Sequence, residues 1–329
     1  VGIEVLLLGG GFGRRLEVDM IAQAVAIALQ CDGAPVQLVW TREQDTRHDM
    51  YRPAALARFA ARLDEHGRIA SWDNKSVSGS ITHQFLQRNF GLPGAGPDKT
   101  TAEGEFDMPY EIANQRIAHV IADSPVPIGY WRSVGHSHNA FFKESFIDEL
   151  AHAAGQDGIA FRRAMLLKHP RHLAVLDAAV ARAGSAPPGH AHGVALHQSF
   201  GSIVAQVAQV SVENGEIRVQ RVVCAIDCGI AVNPNIIAQQ MESAVLFGLS
   251  AALGGEITFK DGKVEQSNFH DYPVLRMGQT PEVDTIIIAS AEHPEGVGEP
   301  GTPPIAPAVA NAVFSLTGKR LRSLPLRLA

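Results

Sequence analysis

The feature that most constrains the fold is an alternating run closed by a tight-turn signal. Val204 to Val212 alternates side-chain character, Asn214-Gly215 follows, and Ile217 to Cys224 forms a matching run. Period-two alternation reads as a strand, and Asn-Gly between two such runs is a strong hairpin signal because both central turn residues need positive φ. An antiparallel pair is therefore expected at this point. A second hairpin is expected from the alternating residues Ala55, Ala57, Phe59, Ala61 and Leu63, through Asp64-Glu65-His66-Gly67-Arg68, into Ile69-Ala70-Ser71-Trp72. Ile257 to Val264, around Asp261-Gly262, reads as a short third hairpin, and Asp284 to Ser290 as a further strand. Helical periodicity is expected at Ala140 to Ala154, with Phe141, Phe142, Phe146, Ile147 and Leu150 as its apolar stripe and Ser137 or Asn139 as its cap. Two more helices are expected, at Leu173 to Ala183 and, after Asn233-Pro234, at Ile236 to Leu253. The mixture predicts an α+β protein of two lobes, with Ala186-Pro187-Pro188-Gly189 as the boundary between 1–185 and 186–329.

The first 40 residues read as β-turn-α-β. A strand from Glu4 to Leu8 runs into Gly9-Gly10-Gly11-Phe12-Gly13-Arg14-Arg15, a helix spans Val18 to Gln30, and Val36 to Trp40 is a second strand. A glycine loop ahead of a helix presents unpaired N–H groups to an anion, and the arginine pair suits phosphate or pyrophosphate. The dinucleotide fingerprint, however, needs a third glycine three positions after the second. That position is Arg14 counted from Gly9 and Gly11, and Leu16 counted from Gly11 and Gly13. Glu43 could still serve as a ribose-binding acid, so an NAD(P)-dependent dehydrogenase stays open as an alternative.

Two further stretches are framed by glycine and proline. Gly296-Val297-Gly298-Glu299-Pro300-Gly301-Thr302-Pro303-Pro304 holds one carboxylate in a stiff loop ahead of an apolar run, Ile305 to Val313. Lost hydration there would push the Glu299 carboxyl upward, toward the range of a general base. Pro125 to Asn139 carries the aromatic pair Tyr130-Trp131, then Arg132, and His136 and His138 alternate beyond them. A lone His-x-His is more often structural, and no third ligand has suitable spacing. Residues 79–108 read as a long surface excursion, and Arg162, Arg163, Lys168 and Arg171 as a solvated helix face.

Net charge is −6 and no basic run exceeds two or three residues, which argues against a nucleic-acid surface. No apolar segment reaches the roughly 18 residues of a bilayer span. Cys31, Cys224 and Cys228 are too few and too poorly spaced for a disulfide framework or an iron–sulfur site, so core thiols are expected. The chain opens in a strand-like run without an initiator methionine, which reads as a piece of something larger, with export and compartment undetermined.

Taken together, the glycine loop (Gly9 to Arg15), Tyr130-Trp131-Arg132-Ser133-Val134-Gly135 and the Glu299 loop resemble the molybdopterin-binding large subunit of the xanthine dehydrogenase/aldehyde oxidoreductase family. Asp227-Cys228-Gly229, Asn233-Pro234 and Gln240-Met241-Glu242 fit as well. The resemblance is to the isoquinoline 1-oxidoreductase β-subunit type and its C-terminal half. Two departures from the wider pattern mark that branch: Gly13-Arg14-Arg15 for Gly-Gly-Lys, and Trp131-Arg132-Ser133 for Phe-Arg-Gly. The Met-Gly-Gln-Gly pterin loop is absent from the chain.

The resemblance implies two molybdopterin-binding lobes, the first with the glycine and Trp-Arg loops and the second with the catalytic loop. It implies Glu299 as the base that deprotonates a water-derived hydroxyl, with oxidation of an aldehyde or N-heteroaromatic substrate. Gly10, Gly11, Phe12, Gly13, Arg14, Arg132, Gln240 and Gly298 would bind the cofactor, and Phe12, Tyr130 and Trp131 would line the substrate pocket. The cofactor would be molybdopterin, in its cytosine dinucleotide form, with molybdenum that takes no ligand from protein side chains. Partners would be the upstream half of the large subunit (or a separate chain), an iron–sulfur small subunit with [2Fe-2S] clusters, and a cytochrome c acceptor. A non-catalytic assembly subunit is the remaining alternative.

Overall fold

The computed structural model describes residues 2–328. Its first helix, α1 (Asp19–Ala28), follows a 3₁₀ turn at Arg14–Leu16, and α2 (Arg42–Arg47) is closed by a Thr41–Gln44 capping box. The first hairpin forms as expected: β1 (Ala55–Leu63) pairs antiparallel with β2 (Ile69–Ser78). Next come α3 (Ile81–Phe90), α4 (Lys99–Ala102) and β3 (Gln115–Ile121), the last parallel to β2. Three helices follow, α5 (Val134–Ala153), α6 (Gly158–Ala164) and α7 (Pro170–Ala183).

The central sheet is built from β4 (Ala191–Ser199), β5 (Ser202–Glu213) and β6 (Glu216–Asp227), all antiparallel. After β6 come α8 (Pro234–Leu253) and the small hairpin β7 (Phe259–Lys260) with β8 (Lys263–Val264). Strand β9 (Glu282–Ile287) then returns parallel to β6, and α9 (Ile305–Thr317) closes the chain of elements. Asn214 and Gly215 take φ of 53° and 80°, the pair of positive values that the β5–β6 turn requires.

The sheet is buried on both faces along most of its length, which explains why β5 carries no charged residue before Glu213. Val204, Ala208 and Val210 face one core with Met241, Val245 and Leu249 of α8 and Val309 and Ala312 of α9. Ile203, Ala205 and Val207 face a second core with Ile147, Phe161, Val175 and Leu176, joined by Ile69 and Trp72 of β2. Helix α9 lies very close to β4: a Cβ on Gly193 would stand 2.0 Å from the Ala308 carbonyl oxygen. Only glycine permits that approach.

Several local expectations are corrected. Residues 3–8 and 36–40 form no strand, and Val5 and Leu7 are fully solvent-facing. Among the described residues neither run has a pairing edge, and a lone strand leaves its N–H and C=O groups unpaired. The β-turn-α-β unit is therefore absent. Glu43 lies in α2, donated to by Asn268, rather than at a strand end. Residues 79–108 carry two helices, whose caps Ser80 and Asp98 also bond each other at 2.6 Å. Helix α5 starts six residues early, at Val134, and its N-cap is Ser133. Helix α8, at 20 residues, does reach bilayer-spanning length and apolarity, but Ile237, Met241, Val245 and Leu249 are core residues.

The solvated face is overturned at Arg162, which is fully buried. Its Nε donates to Glu144 Oε2 at 3.0 Å, and its other nitrogens donate to the Gly158 and Glu144 carbonyls. Glu144 also accepts from the Tyr110 hydroxyl at 2.8 Å and the Leu196 N–H at 3.1 Å. This fully satisfied pair raises the Arg162 pKa despite burial, through the adjacent Glu144 charge.

Removing one buried charge leaves the other uncompensated, at about 3–5 kcal/mol. Glu144→Gln is expected to lose stability of that order in urea unfolding. Breaking the exposed Arg218–Glu216 pair should change stability by less than about 1 kcal/mol.

Candidate functional site

The site forms where α5 begins. Ser133 and Val134 take φ of 74° and 46°, a left-handed conformation that is uncommon outside glycine and strained for a β-branched residue. The strain is held by contacts to the Glu299 residue: the Ser133 N–H donates to Glu299 Oε1 at 2.8 Å, and the Ser133 hydroxyl donates to the Glu299 carbonyl at 2.7 Å. The carboxylate thus sits at the positive end of a 20-residue helix.

Arg132 is buried and clamps three segments together. Its Nε donates to the Gly298 carbonyl at 2.7 Å, Nη1 to Ser243 Oγ at 3.0 Å, and Nη2 to Gln240 Oε1 at 3.0 Å. Its guanidinium also lies 5.5 Å and 5.7 Å from the Phe12 and Phe247 ring centres. Burial lowers its pKa to about 10, against the raising influence of the Glu299 charge, so it remains a cation at neutral pH. Gln240, Ser243 and Phe247 recur at i, i+3 and i+7 of α8 and so share one helix face.

The Glu299 loop is tied down on its other side by the central sheet. Gly296 N–H donates to the Phe200 carbonyl at 3.0 Å, Ser202 Oγ donates to the Gly296 carbonyl at 2.7 Å, and Gln206 Nε2 donates to the Gly301 carbonyl at 2.7 Å. The glycine loop packs onto the Trp-Arg segment: a Cβ on Gly13, whose φ is 99°, would stand 2.1 Å from the Tyr130 carbonyl oxygen. Phe12 stacks on Phe247 at 5.0 Å, and Trp131 meets the same ring at 4.7 Å.

The structure therefore brings Phe12, Gly13, Arg132, Gln240, Gly298 and Glu299 together. Gly10 and Gly11 continue the loop at its exposed end. Arg14 is ion-paired to Asp19 and Asp49, so its cation is already taken up within the protein. Tyr130 packs its ring edge-on with Phe85 at 5.4 Å. Trp131 lines a cavity of about 990 Å³ together with Arg52, which stacks on it at 4.3 Å, but Glu299 does not line that cavity.

The sequence marks Ser133 only as a departure from the wider pattern, with no role of its own, and does not mark Ser243 at all. Ser243 could have been found from its helical spacing to Gln240. Ser133 occupies the position where the wider pattern has Gly, and its positive φ supplies the physical reason for that Gly.

His136 and His138 lie on α5, both buried, with His136 Nδ1 2.9 Å from His197 Nε2. Burial is the main cause lowering both, to about 4 for His136 and about 3 for His138.

The open face offers main chain without side-chain cover. A Cβ added at Gly9 or Gly298 would meet nothing within 4 Å, so a ligand can reach the main chain there. Gln240 Oε1 is taken by Arg132, which leaves the amide nitrogen to face outward.

Comparison with known proteins is decisive at this point. Residues 1–166 and 144–281 each match a family described as a molybdopterin cofactor-binding domain. The chain belongs to the molybdopterin cofactor-binding family. It is 33% identical to isoquinoline 1-oxidoreductase subunit beta of Brevundimonas diminuta, over 98% of this chain and 42% of that protein. It is 32% identical to a membrane-bound aldehyde dehydrogenase (pyrroloquinoline-quinone) of Gluconacetobacter polyoxogenes, over 98% of this chain and 45% of that protein. The molybdopterin-binding chain thus spans less than half the length of these two curated relatives. Its fold matches the crystal structure of quinoline 2-oxidoreductase from Pseudomonas putida 86 with a TM-score of 0.78 at 13% identity, over 97% of this chain and 66% of that one.

Arg132→Lys removes the planar fork that joins the three segments. Hydrogen exchange of the peptide covering Gly296 to Thr302 is expected to accelerate by about tenfold or more, as about 1.4 kcal/mol of local stability is lost. The buried histidines set an acid limit. Their folded pKa values lie below the unfolded value of 6.5, so their contribution is full above 6.5 and is lost as pH falls toward about 4 for His136 and about 3 for His138. Thermal melts should show the midpoint falling through that window, at about 1.4 kcal/mol per pH unit for each histidine that stays neutral.

Proposed function

We propose that this chain is the molybdopterin-binding part of a molybdenum hydroxylase that oxidises an aldehyde or an N-heteroaromatic ring with water-derived oxygen. Glu299 is the general base in this reading. The observation that carries it is the pairing of the Ser133 N–H with Glu299 Oε1 beside the Arg132-clamped Gly298 carbonyl.

When bound, the molybdenum cofactor would supply the two-electron redox chemistry. The chain's own residues do the rest. Gly10, Gly11, Phe12, Gly13 and Gly298 offer side-chain-poor main chain for close approach, and Gln240 offers an amide donor. Arg132 works at one remove: its donors hold Gly298 and Gln240 in place and keep a positive charge near Glu299. Glu299, with Oε1 fixed by Ser133, would take the proton from a water-derived hydroxyl; the substrate carbon that gains this oxygen would give up its hydrogen with the electron pair, which the bound cofactor would accept. The aromatic group Phe12, Phe247 and Trp131 forms one apolar wall of the site.

The cytosine dinucleotide form of the cofactor belongs to the same reading. Electrons would leave through [2Fe-2S] clusters on an iron–sulfur subunit toward a cytochrome c. Cys224 and Cys228 are buried core thiols, and the pKa of each is raised by burial, which suits an outlet on another chain. The remaining cofactor contacts would come from the part of the large subunit that this chain does not span.

Glu299→Gln in the assembled enzyme is expected to lower turnover by about a hundredfold or more while molybdenum and pterin content stay at wild-type levels. Near-normal turnover in that variant would overturn the base assignment. Stoichiometric nicotinamide cofactor without molybdenum in the wild-type protein would overturn the whole reading.

A further inference from the structure

The cavity of about 990 Å³ beside Trp131 is not lined by Glu299, and none of the chemistry assigned above uses it. Its volume is at the upper end of the roughly 300–1,000 Å³ typical of small-molecule pockets. Phe59, Phe141, Phe142, Phe146 and Phe259 are among its walls. Helix α5 supplies one side, where His138, Phe142, Ser145 and Glu149 recur at i, i+4, i+7 and i+11 and so share a face. Trp131 is a wall common to both spaces, since its ring also meets Phe247 of the Glu299 site at 4.7 Å.

The charges around this cavity are matched at every point but one. Each carboxylate that lines it already has an arginine: Asp45 pairs with Arg42, Asp49 with Arg14, Glu149 with Arg322 and Glu256 with Arg327. Arg52 has no such partner among the described residues. Its Nη2 donates to Ser137 Oγ at 3.0 Å and its guanidinium stacks on Trp131 at 4.3 Å, which leaves most of its five donors unused by the protein. Burial lowers its pKa to about 10, against the raising influence of Tyr272, so it is a cation at neutral pH. Two more polar atoms stand unpartnered along α5. His138 and Ser145 are 5% and 9% exposed, and neither His138 Nδ1 nor Ser145 Oγ has a hydrogen bond. His138 Nε2 lies 3.3 Å from the Thr101 carbonyl, which holds the proton of this neutral ring on Nε2 and leaves Nδ1 as a bare acceptor.

We propose that this cavity is a second small-molecule site and takes an aromatic carboxylate. The carboxylate faces Arg52, whose planar fork matches two oxygens, and the ring lies among the phenylalanines beside Trp131. A cation withdrawn from water without a counter-charge is costly, and an anion in the cavity removes that cost. The aromatic walls select a ring rather than a small inorganic anion, which would leave most of the chamber unfilled. His138 Nδ1 and Ser145 Oγ are open to polar ring substituents. The assignment stands on the cavity's own residues and does not rest on the molybdenum reading.

The test is calorimetric titration of the assembled protein with benzoate, with tryptophan fluorescence as a second readout of the space beside Trp131. Saturable binding is expected, accompanied by a fluorescence change. Benzamide, which has the same shape without the charge, should bind about tenfold or more weakly to the wild type, a comparison that needs no variant. Benzoate should lose affinity by a similar factor in Arg52→Gln. Glu299→Gln should leave benzoate affinity within about twofold, because that residue does not line the cavity. Absence of saturable binding, which a polypeptide segment seated in the cavity would also produce, overturns the proposal. Benzamide binding as tightly as benzoate, or an affinity that Arg52→Gln leaves unmoved, overturns it too. A benzoate affinity that shifts in Glu299→Gln places the anion in the Glu299 site and has the same consequence. Failure of the molybdenum reading would instead appear in metal and pterin content and leave the titration standing.

Discussion

A buried guanidinium with no carboxylate in direct contact governs the architecture around Glu299. Arg132 is 4% exposed, and a cation removed from water to that degree must find acceptors for its fork of donors. It finds them in the Gly298 carbonyl, Ser243 Oγ and Gln240 Oε1. Two of these acceptors lie on the core helix α8, and the third, in the Glu299 loop, is tied to that helix through the guanidinium. A lysine would offer one point charge with three rotating donors, whereas the planar fork fixes directions as well as distances. The clamp therefore sets where the Gly298 carbonyl points, and the adjacent Glu299 inherits that orientation.

The same turn explains why strained backbone persists at Ser133 and Val134. A left-handed valine costs of order 1–3 kcal/mol and survives only where its surroundings over-determine it. Here the residues on either side are locked. Gly135 has no room to move off the Thr100 and Thr101 carbonyls, and Asn139 bonds back to the same segment. The strain aims the Ser133 N–H out of the helix start and onto Glu299 Oε1. An ordinary capping residue would instead have turned its side chain back to serve α5 itself, and Ser133 makes no such cap.

What could be read from the sequence follows the range of the forces involved. The Asn214-Gly215 turn, the Asn233 cap of α8 and the stiffness of the Glu299 loop are decided within a few residues, so local rules reach them. The runs at 3–8 and 36–40 have strand character, but a strand exists only with a neighbour, and residue pattern alone does not supply one. Arg162 looked solvated because three other cations lie near it in sequence; its partner Glu144 is 18 residues away and its burial depends on β4 as well. The start of α5 was placed late because Ser137 and Asn139 are good caps. Both are helical instead, Asn139 answering to carbonyls about 36 to 38 residues back. Sequence therefore identified the family's motifs and missed the serines that join them.

The polar members of the alternating β5 run carry the last step. Gln206 shares a face with Val204, Ala208 and Val210 and is fully buried there, because both faces of the sheet are covered by helices. Its amide donates to the Gly301 carbonyl, while Ser202 of the same strand donates to the Gly296 carbonyl. The Glu299 loop is thus held by the sheet at both ends, by α8 through Arg132, and by α5 through Ser133. Three elements from separate parts of the chain each remove a different freedom of one carboxylate. The role proposed for Glu299 needs its oxygen placed to within a fraction of an ångström, and a loop of nine residues does not achieve that through its own stiffness. Distributing the constraint over the sheet and two helices lets the loop stay free of bulky side chains, which the proposed approach of a large cofactor requires, without giving up the position of Glu299.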